Sequence, residues 1–122
     1  MQPVIEDMKE VHLILERQGV RSLNLSLGEV MLIAASLGYI NIVRFLEKPH
    51  LPLSYANSFG EGLVHFAAKG DQAKMVWYLI QRGLDPHTEN KFEQTALFMA
   101  AEAGSLKVLR ILCADPNAKL DK

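Results

Sequence analysis

NSFGEGLVHFAAKGDQAKMVWYLIQRGLDPHTE, residues 57–89, reads as one complete structural unit. It opens on turn formers, Asn57-Ser58-Phe59-Gly60-Glu61-Gly62. Leu63, Val64, Phe66, Ala67 and Ala68 then form a short apolar helix, and the two alanines have no bulk to hold a neighbouring helix away. Lys69-Gly70-Asp71 breaks that helix. Gln72 to Gln81 predicts a second one, with Met75, Val76, Leu79 and Ile80 on one face at helical spacing. Gly83 stands where a helix end wants a left-handed residue, and Asp85-Pro86 leads out of the unit.

The same pattern occurs on either side, 33 residues away and without a gap. Ala34-Ala35, Ala67-Ala68 and Ala100-Ala101 share one register. So do Ile42-Val43, Met75-Val76 and Val108-Leu109, and then Leu46, Leu79 and Leu112. Met31, Val64 and Leu97 lie upstream, and Asn24, Asn57 and Asn90 open the units. A fixed period in this range signals stacked helical repeats. In the third unit Asn90 to Gln94 is the turn, Thr95 to Glu102 the first helix with Thr95 as its N-cap, and Ser105 to Cys113 the second. In the first unit Asn24 to Gly28 is the turn, Glu29 to Leu37 and Asn41 to Lys48 the helices, and Pro49 and Pro52 stop the second one. Residues 3–18 predict a lone helix ending at Gly19. Val4, Ile5, Met8, Val11 and Leu15 make its apolar face, and Glu6, Asp7, Lys9, Glu10 and Glu16 suit the polar end that a stack of repeats needs. The organisation expected is a capping helix over 1–20 and units over 24–56, 57–89 and 90–122, all α.

Bulk properties narrow the function. The 122 residues are 49% hydrophobic and carry a net charge of -1, which suits one folded domain with a continuous core. Residues 1–56 hold six acids and five bases, and residues 57–122 eight of each, so neither half has the charge bias of a nucleic-acid or anionic-membrane binder. No apolar run approaches the ~20 residues that span a bilayer, and charges interrupt the first eighteen residues where a signal peptide would be apolar. Cys113 is the single cysteine, which excludes an internal disulfide and fits a reducing interior. The expected location is cytoplasmic or nuclear; an effector injected by a dedicated secretion machine would read the same way.

These residues resemble ankyrin repeats, whose period is 33 residues. The middle unit matches best, through Gly60, Val64-His65, Ala67-Ala68, the Val76/Leu79/Ile80 stripe and Gly83-Leu84-Asp85-Pro86. The third matches through Thr95-Ala96-Leu97, Ala100-Ala101, Gly104 and Leu112, and the likeness covers about residues 20 to 118. The resemblance implies an all-α ankyrin-repeat solenoid of about three repeats with an N-terminal capping helix, acting as a protein-binding adaptor or scaffold. The alternative is a docking or regulatory segment of a larger enzyme or of a secreted effector. Departures are visible. The family's Thr-Pro-Leu-His box reads Gly62-Leu63-Val64-His65, Thr95-Ala96-Leu97-Phe98 and Glu29-Val30-Met31-Leu32, so one histidine remains. Glu93 replaces the turn glycine seen as Gly60, and Asp71 the break glycine seen as Gly38 and Gly104. Ala114-Asp115-Pro116-Asn117-Ala118-Lys119 resembles the loop into another repeat, as if a longer array had been cut, and an open end would leave Leu106 and Leu109 with less cover than their counterparts.

No catalytic constellation or cofactor motif is present. The resemblance makes His65 a structural histidine bonded to turn backbone between repeats. His12, His50 and His87 fall in different units without ligand spacing, which argues against a metal. Cys113 has no flanking base to lower its pKa and reads as an ordinary thiol. Gly60-Glu61-Gly62 lacks the strand, third glycine and lysine of a phosphate loop.

The binding surface is better defined. Ankyrin partners generally meet the turn tips and the exposed side of each first helix. Carried onto this chain, that surface offers Ser58, Phe59, Glu61 and Lys69 in the middle unit, and Lys91, Phe92, Gln94, Glu102 and Ala103 in the third. Phe59 and Phe92 recur at one position. With helices ~8–10 Å apart, their rings are either neighbouring exposed anchors or fold back over their own repeats. Trp77 stands where the other copies have Arg44 and Arg110, either as a second contact on the outer helix or as cover for Ala73, and Tyr55 is a weaker case of the same kind. The expected partner is another protein, with no nucleic acid, no membrane and no cofactor. The expected state is a monomer, or weak self-association through the C-terminal repeat.

Overall fold

The computed structural model describes residues 4–114, and the segment 115–119 singled out above lies outside them. Seven helices follow in order among the described residues: α1 Met8–Arg17, α2 Leu27–Leu37, α3 Ile40–Leu46, α4 Leu63–Lys69, α5 Ala73–Gln81, α6 Ala96–Ala103 and α7 Leu106–Ala114. β-type pairing is limited there to isolated bridges, Lys48 with Leu51 and Ala56 with Gly62. The chain is an all-α stack of helix pairs. α2, α4 and α6 pack side by side as an inner row, and α3, α5 and α7 back onto them, with α5 also against α7.

The repeated alanines explain the close stacking. Ala34, Ala35, Ala67, Ala68 and Ala100 are fully buried. Gly70 is needed for the same reason, because a Cβ there would overlap the carbonyl of Ser36 on α2. Behind this seam the second helices contribute Ile42, Val43, Met75, Val76, Leu79 and Val108, each at 1% exposure or less. Burying a side chain of this size contributes ~1.5–3 kcal/mol.

Helix starts and stops follow local chemistry. Ser26 caps α2 in a capping box with Glu29. Thr95 Oγ1 accepts from Phe98 N at 3.2 Å as the sequence led us to expect. Gly38 and Gly104 close α2 and α6 in the left-handed region. Asp71 and Glu93 adopt φ of 60° and 62°, so the two positions that lack the family's glycine keep the glycine's backbone conformation.

Several boundaries differ from expectation. α1 begins at Met8, where the Asp7 side chain accepts from Glu10 N, and not at residue 3. Ile5 is buried ahead of the helix while Val4 is 80% exposed, so spacing that looked helical belongs partly to a non-helical lead-in. α2 starts at Leu27, not Glu29, because Ser26 supplies the cap. α3 stops at Leu46, with Glu47 already extended at ψ 121°, two residues short of Lys48. In the third unit Ala101 is exposed where Ala35 and Ala68 are buried, and Phe98 is 43% exposed where His65 is 2%. Leu106 is 66% exposed against half-buried Ile40 and Ala73, and Leu109 is half-buried against fully buried Val43 and Val76.

Candidate binding surface

The turn tips are built by two asparagines working identically. Asn57 Oδ1 accepts from Phe59 N at 2.9 Å and Glu61 N at 3.0 Å. Asn90 Oδ1 accepts from Phe92 N at 2.8 Å and Gln94 N at 2.9 Å. The amide groups donate the other way, Asn57 Nδ2 to Glu61 Oε1 and Asn90 Nδ2 to Gln94 Oε1. A short polar side chain thus holds each hairpin-like turn and aims the residue two places on outward. Consecutive tips are joined by Lys91 N donating to Phe59 O at 2.9 Å.

Phe59 and Phe92 are carried on these tips, 53% and 64% exposed. Their rings stack with centroids 6.2 Å apart and planes 27° from parallel, closer than the ~8–10 Å helix spacing suggested. Neither ring folds back to fill its own repeat. Ser58 and Lys91 are exposed beside them. Lys69, at the end of α4, meets Glu61 Oε2 at 3.3 Å and lies 4.5 Å over the Phe66 ring. Glu61 and Gln94 are half-buried, since both brace their own asparagine. Glu102 and Ala103 are exposed on α6. Ser58, Phe59, Glu61, Lys69, Lys91, Phe92 and Gln94 therefore sit together, with Glu102 one repeat along from Lys69.

Trp77 belongs elsewhere. It is 56% exposed on α5, in the outer row of helices, and does not join the tip cluster. Tyr55 is half-buried, with its ring where a Cβ of Gly28 would be, so it packs across the start of α2 rather than offering a contact. Sequence reasoning did not single out Phe66, although Ile33, Phe66 and Met99 share a register in α2, α4 and α6. Their 33-residue spacing was the available signal.

His65 is 2% exposed and fully engaged. Gly62 N donates to Nδ1 at 3.2 Å, and Nε2 faces Gln94 O at 2.9 Å. A backbone N–H on one ring nitrogen and a carbonyl on the other require a proton on Nε2 alone. The ring thereby ties α4 to the next turn, leaving no nitrogen for a metal or substrate. Among the described residues no three His, Cys, Asp or Glu side chains cluster as a metal site. On the outer side, Arg82 donates to both oxygens of Glu47 at 2.9 and 2.8 Å, and to the Tyr78 hydroxyl. These hydrogen bonds, Glu47's first, raise the arginine above its usual pKa, so it stays a cation.

The probable 26S proteasome regulatory subunit p28 of Saccharomyces cerevisiae is 32% identical over 83 residues, which is 66% of this chain. The chain spans 36% of that relative's length. Residues 30–122 match the family described as ankyrin repeats in three copies. The chain belongs to the ankyrin-repeat family, whose arrays are protein–protein interaction modules.

Proposed function

We propose that this array is a non-catalytic adaptor that binds another protein through its turn tips and inner helix row, with Phe59 and Phe92 as the anchors. One observation carries the reading. Two phenylalanines, each more than half exposed, stack on each other on adjacent tips. Large exposed rings on a rigid frame concentrate binding energy, and a preformed surface loses little conformational entropy on binding. Lys69, Glu61 and Lys91 around the rings, with Glu102 further along, set a mixed polar rim. Units 24–56, 57–89 and 90–122 form the array, with residues 1–20 as its cap. We place it in the cytoplasm or nucleus, monomeric or weakly self-associating through its C-terminal repeat, and acting on protein rather than nucleic acid or membrane. The likeness to a probable proteasome regulatory subunit makes proteasome components the first partners to test.

Affinity capture from lysate with the wild type and the F59A/F92A double variant tests this. The variant is expected to keep its helical circular dichroism and lose the captured partner. Equal capture by both proteins would overturn the assignment of the anchors, and unfolding of the variant would make the pair a packing feature.

A further inference from the structure

We propose that the outer helix row is a second docking surface, and that its occupant is an acidic segment of a partner protein with an apolar side chain placed against Trp77. The helices α3, α5 and α7 read INIVRFL, AKMVWYLIQ and LKVLRILCA, with four bases and no acid. The inner helices are mixed, with Glu29 on α2, Lys69 on α4 and Glu102 on α6. Within these helices the outer row is thus purely basic, while the inner row carries both signs.

Register puts the outer cations together. Lys74 and Trp77 lie one helical turn apart on α5, and Lys107 and Arg110 hold the same positions on α7, which packs against it. Arg44 holds the Trp77 position on α3. All four cations are exposed, and among the described residues none of them forms an ion pair, whereas Lys69 and Arg82 do. Glu47, beside this face, is already taken by Arg82. Exposed cations without acidic partners around a half-exposed indole are complementary to an acidic partner, and Trp with Arg is the composition enriched where partners bind tightly.

The spacing describes the occupant. Arg44 and Arg110 are two helix spacings apart, roughly 16–20 Å. An extended segment covers that in about five or six residues at ~3.3 Å each. Carboxylates at its ends would meet the arginines, with an apolar residue between them over Trp77.

Trp77 is the only tryptophan, so its fluorescence reads the surface directly. The whole chain is titrated with a short synthetic peptide bearing glutamates on either side of a central leucine, and with the same peptide carrying glutamines. The expected result is a saturable shift of the emission by the glutamate peptide only, weakened by salt. The R44E/R110E variant should bind at least about tenfold more weakly, as loss and reversal of the two arginine contacts imply. F59A/F92A should bind the peptide as the wild type does, which separates this surface from the tip surface. No saturable shift, or equal response to the glutamine peptide, would overturn the proposal. So would a shift produced by duplex DNA or phosphatidylserine vesicles at lower concentration than by the peptide.

Discussion

Replacing His65 by leucine and by alanine separates two contributions to the tie between repeats. The ring is 2% exposed and makes two hydrogen bonds, to Gly62 N and Gln94 O. Gln94 O also accepts from Asn90 N, so it keeps one partner when the imidazole is gone. Gly62 is half-buried. The leucine variant therefore loses two net hydrogen bonds without stranding a fully buried group, about 1–3 kcal/mol together. Leucine fills much of the space, as Leu32 does at this position in the first unit, where it is 2% exposed. Alanine adds a cavity and should cost roughly 3–5 kcal/mol in all, a large part of the ~5–15 kcal/mol that holds a domain folded. Urea titration followed by circular dichroism and by Trp77 emission measures both. With a slope of ~1–3 kcal/mol per molar, the leucine variant should shift the midpoint down by about 1 M and the alanine variant by about twice that. A leucine variant with an unmoved midpoint would refute the reasoning, since the hydrogen bonds would then contribute nothing net and His65 would be only a space filler.

Glu93→Gly and Asp71→Gly should both stabilise the chain, because each residue holds a left-handed φ that costs an L residue roughly 1–2 kcal/mol. Part of the gain is offset by the freer unfolded chain, and aspartate tolerates that region better than glutamate. Thermal unfolding should thus rank Glu93→Gly above Asp71→Gly, with a rise of up to about 1 kcal/mol; a fall for both would show that the backbone there is not strained. Gly70→Ala should cost about 1–3 kcal/mol, because its Cβ meets the carbonyl of Ser36 and pushes α2 from α4. Gly19→Ala is the control, with φ +81° but nothing within 4 Å of the added carbon, and should lose only the conformational preference of ~1 kcal/mol. Equal losses for the two in the same melt would remove the steric explanation.

The stacked helical pairs were legible in the sequence because every signal for them is local and periodic. Turn residues, alanine pairs and leucine stripes repeat at one interval, and a pattern that recurs three times leaves little room for another fold. The family resemblance marked His65 as structural, and its ring is bonded to backbone on both sides. Boundaries were less legible where one side chain decides them. Ser26 starts α2 two residues early, and Asp7 starts α1 late although Val4 and Ile5 continue the apolar spacing.

Distances and directions across repeats belong to the tertiary structure alone. The interval places Phe59 and Phe92 in one register, but the turn backbone set by Asn57 and Asn90 decides that the rings stack at 6.2 Å and stay exposed. Trp77 could equally have covered Ala73 by its spacing, and only packing leaves it 56% exposed. Charge shows the difference most plainly. Counted along the chain it is even in both halves, because each unit carries its own acids and bases. Stacking three units sorts those residues by helix, and gathers Arg44, Lys74, Lys107 and Arg110 onto one face, a separation that exists only when the units lie side by side.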